Sequence, residues 1–418
     1  MNYEVNISYS SNISKFQKFT SVLAFAIIIF ISFFGTAAPF PERYTSVDDI
    51  STSNIFNQVI YLFVLFLIII SVYNHKRFFV QTLIKEKFFF LLILWYFLGM
   101  LWSVDPFSTF KMALRLFTIY LAILVFFINY PYYQAGDKIV KIILTIFILT
   151  SLVVVVTIPG ATDPDFNTWR GFSPSKNIFG QVCVLAFVLG FDLYLREESL
   201  AKKLLVAFLS FLALIMLFGS QSSTSIIGVL VFVSIISIRI IDHFFRPLGL
   251  GRFMSSALLL GFMFSVFLIL IVFPVVIEYF TGLFGKDPSF TGRTDLWLIA
   301  LNSFIEQFPL GTAYGAFWNP ANKALASIHL IFPWLPMQAH SGILDTLNEG
   351  GIIGFSLFIS ATFISLRNNW NFKNKNIGFY IVLIILLLNT QETTLLVPGY
   401  LATTLYFYYY LRSILAHQ

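Results

Sequence analysis

Residues 203–240 read KLLVAFLSFLALIMLFGSQSSTSIIGVLVFVSIISIRI, and this stretch decides the fold class. Two apolar runs, 203–220 and 225–240, flank the polar turn Gln221-Ser222-Ser223-Thr224-Ser225. A run of about 17–25 apolar residues crosses a bilayer as a helix, because a helix pairs every backbone N–H and C=O without water. Lys202 and Lys203 lead into the first run and Arg239 closes the second, so both ends of the hairpin are basic. Basic ends lie in the cytoplasm, which puts the polar turn on the outer side.

The same pattern recurs from end to end. Twelve spans are expected, at 19–37, 55–73, 88–103, 110–130, 139–158, 177–195, 203–220, 225–240, 254–278, 341–366, 377–391 and 396–412. Of 418 residues, 58% are hydrophobic and 11% charged, against about 25% charged in a soluble globular chain. Tyr and Trp often fall near run ends, as an aromatic belt requires. The first run reads as a retained span, since no A-x-A-like cleavage site follows Gly35-Thr36-Ala37. The expectation is an all-α integral membrane protein of about 12 transmembrane helices, a single polytopic domain over 1–418.

Charge sets the orientation. With the N-terminus inside, eighteen of the 26 basic residues are cytoplasmic, among them Arg196 and Arg412, and both termini lie inside. The net charge of +6 therefore reports topology and gives no ground for nucleic-acid binding. Eight basic residues fall on the outer side against the rule: Arg43, Lys111, Arg115, Arg170, Lys176, Lys286, Arg293 and Lys323. The single Cys183 lies within a span, so no disulfide framework is available. One long connection, 279–340, interrupts the pattern on the outer side, and long ordered loops usually carry function. Within it Trp297, Leu301, Phe304, Ile305 and Phe308 fall at helical spacing, predicting an amphipathic helix at the membrane interface.

Three polar clusters face outward. In Trp169-Arg170-Gly171-Phe172-Ser173-Pro174-Ser175-Lys176-Asn177, two cations bracket a turn, and Ser175 is a candidate helix N-cap. A helix N-terminus beside two cations suits phosphate. In Thr291-Gly292-Arg293-Thr294-Asp295-Leu296-Trp297, Arg293 falls in a first helical turn, where the dipole disfavours a cation and an anion is expected. Snorkelling to lipid headgroups, or pairing with Asp163, Asp165 or Asp295, explains the same arginines. The third cluster runs from His340-Ser341-Gly342-Ile343-Leu344-Asp345 to Asn348-Glu349-Gly350-Gly351. His340 opens a span and has the chemistry to take a proton from a hydroxyl, though a carbonyl-bonded histidine at a helix start fits equally. Asp345 and Glu349 share a helix face; they either orient His340, bind sugar hydroxyls, or pair with Arg115. Asp163-Pro164-Asp165 is a D-x-D, but short acidic pairs are common in loops and no metal is assigned. No Walker sequence, G-x-G-x-x-G, C-x-x-C or H-E-x-x-H occurs, so any sugar arrives already activated.

Taken together, these clusters resemble the bacterial O-antigen ligase and O-antigen polymerase (Wzy-type) superfamily. The resemblance covers roughly 95–355. It rests on Trp102-Ser103-Val104-Asp105-Pro106 with Arg115, Arg170-Gly171-Phe172 with Lys176-Asn177 and Gly180, and Thr291 to Trp297. It continues through Pro309-Leu310-Gly311, Tyr314-Gly315-Ala316-Phe317-Trp318, Ala339-His340-Ser341-Gly342 and Glu349 to Gly354. Two departures stand out: Gln221-Ser222-Ser223-Thr224 replaces a hairpin arginine of many relatives, and Ser341 stands where relatives often carry Asn.

The resemblance implies a GT-C-like, inverting, metal-independent glycosyltransferase of the inner membrane, acting on the periplasmic side without a cofactor. Its donor would be an undecaprenyl-diphosphate-linked glycan, its acceptor a glycan or lipid A-core, with a chain-length regulator as a further partner. By motif, Arg170 and Arg293 would bind the donor diphosphate and His340 would serve as general base or position the acceptor. Arg115, Lys176, Asn177, Asp345, Glu349, Tyr314 and Trp318 would bind substrate, under a loop that excludes water. The Tyr314–Trp318 stretch and Thr291-Gly292-Arg293-Thr294 look more like the exopolysaccharide and capsule polymerase branch than the lipid A-core ligases. Ligase is the alternative within the superfamily. A transporter or flippase of lipid-linked sugars is the alternative of another class, disfavoured because charges sit in loops and no repeat is visible.

Overall fold

The computed structural model describes residues 13–35, 55–85, 87–130, 133–158, 161–163, 168–245, 247, 293–319, 321–323, 328, 332, 336–371 and 378–415. Among these the chain is α-helical, with one two-residue antiparallel pairing of β1 (Thr162–Asp163) with β2 (Thr168–Trp169). The helices are α1 (Lys15–Phe34), α2 (Ile55–Val72), α3 (Lys76–Lys85), α4 (Lys87–Leu98), α5 (Pro106–Asn129), α6 (Tyr133–Thr157) and α7 (Lys176–Arg196). They continue with α8 (Leu200–Ser220), α9 (Ser223–Phe245), α10 (Arg293–Glu306), α11 (Gly342–Asn371), α12 (Gly378–Asn389) and α13 (Leu401–Leu415).

Seven of these are long and apolar enough to cross a membrane: α1, α2, α5, α6, α7, α8 and α11; α4, α9 and α12 are shorter apolar helices. The molecule is an all-α, multi-pass membrane protein. Eleven of the twelve expected spans coincide with a helix, and 254–278 lies outside the described residues. Three details differ from expectation. The basic segment 76–85 forms the separate helix α3, and α13 starts at Leu401 after an elaborated turn. The span expected at 341–366 is broken inside α11, where Gly351 adopts φ 62°, ψ −170°.

The break is supplied with partners. The Pro309 carbonyl accepts the Ile352 N–H at 3.1 Å, the Asn348 carbonyl accepts from Thr312 N–H at 2.9 Å, and the Trp95 indole donates to Gly350 O at 2.7 Å. Backbone groups lost to the helix are thus paired by protein, the condition for irregular backbone at membrane depth.

The core is built around α5, α7 and α13. Helix α13 reads LATTLYFYYYLRSIL and is buried from Leu401 to Arg412 despite its polar atoms. Three of its tyrosines meet polar partners: Tyr406 pairs with Thr362 at 2.6 Å, Tyr408 donates to Asp137 at 3.1 Å, and Tyr409 donates to Asp192 at 2.8 Å. Phe89 packs edge-on against Tyr406, Phe407 and Tyr410. At the end of α13 far from residue 401, Arg196 pairs with both Asp137 and Asp192, and Arg412 lies 3.6 Å from Asp192. Asp192 and Arg412 are fully buried, and Arg196 and Arg412 cross-link α6, α7 and α13. Two carboxylates against two guanidiniums leave the buried group neutral, which removes the cost of an unpaired charge.

Candidate active site

The opposite end of α13 is entered through residues 390–400, and this turn is shaped by side chains. Asn389 Oδ1 accepts the Thr394 and Leu395 N–H groups at 3.2 and 3.0 Å. Gln181 of α7 donates to Leu388 O and accepts from Thr394, while Gln338 accepts the Thr393 N–H at 3.0 Å. These contacts hold Glu392 at the centre of a polar cluster with its carboxylate 1% exposed.

Four side chains converge on Glu392. Oε1 accepts from Arg293 Nη2 at 3.1 Å and from Asn177 Nδ2 at 2.8 Å. Oε2 faces His340 Nδ1 at 2.8 Å and accepts from Gln338 Nε2 at 2.9 Å. A carboxylate oxygen at that distance suits a proton on Nδ1, whichever state the rest of the ring takes. Arg293 also donates to the backbone and side-chain oxygens of Gln391, at 3.2 and 3.1 Å. An imidazole and a guanidinium are therefore held side by side by one carboxylate.

Each partner is placed by its own element. Helix α10 carries Arg293 at the first of its described residues, Arg293–Glu306. Its buried face is Leu296 and Ala300, packed with Phe317, Trp318, Phe332 and Ala339, and Trp297 donates to Ala339 O at 3.0 Å. The expected stripe is thus divided: Trp297 turns inward, whereas Leu301, Ile305 and Phe308 stay exposed with Leu298. Asn177 lies in the first turn of α7, where Ser175 is the N-cap and accepts the Ile178 N–H at 3.3 Å. His340 has φ 50°, a left-handed backbone that a non-glycine adopts only when its surroundings hold it. Asp345 supplies part of that hold, accepting the Ala339 N–H at 3.0 Å, the Trp318 indole N–H at 2.8 Å and the Thr393 hydroxyl. Asp345 therefore acts on the chain that carries His340, and Glu392 orients the ring.

The remaining candidates are held by contacts of their own. Lys176 is the first residue of α7, and Arg170, nearly buried, sits in the turn before it, where its N–H and that of Gly171 reach Ala161 O. Arg115 lies over the Tyr61 ring, 5.9 Å from its centroid, and makes no ion pair with Asp345 or Glu349 among the described residues. Tyr314 is buried, stacked on Tyr96 at 4.2 Å, and donates to Leu396 O; burial pushes its hydroxyl well above the ordinary phenol range. Glu349 receives a hydrogen bond from the Gly315 backbone. The Trp102–Pro106 motif fastens the loop: Trp102 donates to Gly311 O at 3.0 Å, and Asp105, the N-cap of α5, accepts from Asn319 at 3.2 Å. Asp165 falls outside the described residues. Glu392 escaped the sequence reading because it lies in a short turn. Its one signal is that no other acidic residue follows Glu349.

Residues 208–359 match the model of a family described as O-antigen ligase. This stretch is an O-antigen ligase family domain. No curated protein matches the chain. The match runs from α8 through the break in α11 and supports the O-antigen ligase and polymerase superfamily expected from the motifs. The O-antigen ligase domain contains Arg293, Tyr314, Trp318, His340, Asp345 and Glu349. Asn177 and Glu392 reach the cluster from outside the matched stretch, and Arg115, Arg170 and Lys176 also fall outside it. Members of the matched family are membrane glycosyltransferase-like ligases or polymerases, and the family suggests lipid-linked glycans as substrates.

Proposed function

We propose that the protein polymerises undecaprenyl-diphosphate-linked oligosaccharide repeat units into a surface polysaccharide, on the periplasmic side of the inner membrane and with inversion at the anomeric carbon. The observation that carries this reading is Glu392 holding His340 Nδ1 at 2.8 Å and Arg293 at 3.1 Å. An acceptor hydroxyl loses its proton to His340 Nε2 as its oxygen attacks the anomeric carbon. The bond from that carbon to the diphosphate oxygen breaks on the opposite face. Arg293, with Arg170 and Lys176 at the turn before α7, stabilises the charge growing on the departing diphosphate. Glu392 fixes the tautomer and supports the imidazolium that forms. Asn177, Asp345, Glu349, Arg115, Tyr314 and Trp318 shape the surrounding pocket, and the loop over 279–340 excludes water that would hydrolyse the donor. Both termini then lie in the cytoplasm, and a chain-length regulator is the natural protein partner.

The family description favours a second reading, transfer of the lipid-linked glycan to lipid A-core. One assay separates the two. Purified protein receives a lipid-diphosphate-linked repeat unit as sole substrate, with EDTA present, and products are resolved on a gel. A ladder lost in His340→Ala and Arg293→Ala supports the metal-independent polymerase. Product only after lipid A-core is added supports the ligase. Sugar moved across vesicles with no new glycosidic bond rejects both in favour of transport.

A further inference from the structure

Helix α3 lies at the end of the bundle away from Glu392. Phe34, the last residue of α1, meets Phe172 edge-on at 5.2 Å, in the turn that leads to Asn177 and its bond to Glu392. Lys15, the first residue of α1, therefore marks the opposite end. Thr20 of α1 and Ser71 of α2 share a hydrogen bond of 2.8 Å, which brings the start of α1 and the end of α2 together there. A single turn, Tyr73–His75, joins α2 to α3, and one residue, 86, separates α3 from α4. The ten residues of α3 span about 15 Å at 1.5 Å per residue, about half the thickness of the hydrocarbon core. Too short to cross and tied closely at both ends to apolar helices, α3 is confined to the membrane surface.

Its faces differ. Thr82 and Leu83 are buried, whereas Lys76, Arg77, Val80, Gln81 and Ile84 are exposed. Lys76, Val80 and Ile84 fall at i, i+4 and i+8 and form one stripe, with Arg77 and Gln81 beside it. Val80 is 47% exposed and Ile84 62%, although α3 is a basic helix outside the spans. In the first turn of α1 nearby, Lys15, Phe16 and Phe19 are exposed as well. Other cations at this end have acidic partners: Arg196 and Arg412 meet Asp137 and Asp192, and Lys141 and Lys202 meet Glu197. Lys15, Lys76 and Arg77 have no ion pair among the described residues.

We propose that α3 and the first turn of α1 form a binding surface for anionic lipid headgroups, in the leaflet farther from Glu392. Lipid phosphates pair with Lys15, Lys76 and Arg77, while Val80 and Ile84 enter the boundary between headgroups and acyl chains. Arginine suits this role because its planar fork meets two phosphate oxygens at once. Orientation by charge needs cations alone; it gives no reason for exposed aliphatic side chains on the same short helix. An acidic protein would match the charge and leave that stripe in water. The inference goes beyond the reaction proposed above and does not draw on it.

The test uses the full chain with Ile84→Cys carrying a fluorophore; the native Cys183 is buried and stays unlabelled. The protein is placed in phosphatidylcholine nanodiscs that contain nitroxide-labelled phosphatidylglycerol or, at equal mole fraction, nitroxide-labelled phosphatidylcholine. Phosphatidylglycerol should quench about threefold more effectively at low salt, because each basic residue near the surface attracts anionic lipid. The preference should vanish at about 1 M salt, where the Debye length is about 3 Å. It should vanish likewise in Lys76→Gln/Arg77→Gln, and the salt arm decides if that variant does not fold. A label at Leu149→Cys, on an exposed position of α6, should be quenched equally by both lipids. Equal quenching by the two lipids at Ile84→Cys, at low salt, means ordinary lipid contact and overturns the proposal. Quenching by neither lipid, with full quenching by aqueous iodide, means that α3 faces water and also overturns it. Glycan transfer is not read, so loss of the glycosyltransferase reading leaves this result intact.

Discussion

Replacing Glu392 with glutamine keeps the shape of the side chain and removes what it does. The carboxylate meets four donors, from Arg293, Asn177, Gln338 and His340. Glutamine offers one oxygen and two N–H groups, so at least one pair of donors must face donors. The oxygen will stay with Arg293 and Asn177, because abandoning a nearly buried cation costs most. The amide N–H₂ then points at His340 Nδ1, which can meet it only as an acceptor, moving the imidazole proton to Nε2. The nitrogen assigned to take the acceptor proton is thereby blocked. Loss of a positioned base is worth about 10²–10⁴ in rate, so kcat should fall about 10²–10³-fold, roughly 3–4 kcal/mol of barrier. The assay is initial polymer formation in proteoliposomes, with thermal unfolding as the check on folding. His340→Ala should lose at least as much, and the double variant no more than His340→Ala alone, because both changes remove one function. A Glu392→Gln enzyme within about threefold of wild type, or losses that multiply in the double variant, would refute the reasoning.

Two further outcomes concern stability. Gly351→Ala places a Cβ 2.3 Å from the Pro309 carbonyl oxygen and 2.4 Å from the Leu310 carbonyl carbon, at a backbone conformation reserved for glycine. It should cost at least about 3 kcal/mol and sharply reduce the folded fraction seen by size exclusion; a normal yield and melt would mean that the break in α11 is absent. Asp192→Asn leaves Arg196 and Arg412 sharing one carboxylate, and should cost about 3–5 kcal/mol in thermal unfolding in detergent. An unchanged melting temperature would mean that the charges are hydrated.

What the sequence disclosed was what local pattern records. Apolar run length located α1, α2 and α4 through α9 to within several residues, and Ser175 read as an N-cap and is one. What it hid was pairing at long range. Glu392 is 52 positions from His340 and 99 from Arg293, and nothing in the periodicity of either neighbourhood points to the other. Arg412 follows five aromatic residues in a run that reads as an ordinary basic helix end, yet it is buried because Asp137 and Asp192 come from α6 and α7. The Gly350-Gly351 pair was visible as a motif, but its conformation depends on carbonyls supplied by Pro309 and on the Trp95 indole.

The break at Gly351 has a bearing on how the chain can be re-engineered. His340 rides at the head of a short arm, 342–350, whose tail is stitched to residues 309–312 and to Trp95. The covering loop and the imidazole are therefore one inheritable module. A chimera that exchanges 309–319 for a relative's loop, to borrow its acceptor preference, would also re-aim the imidazole. Exchange of 309–351 as a block carries both and keeps their register.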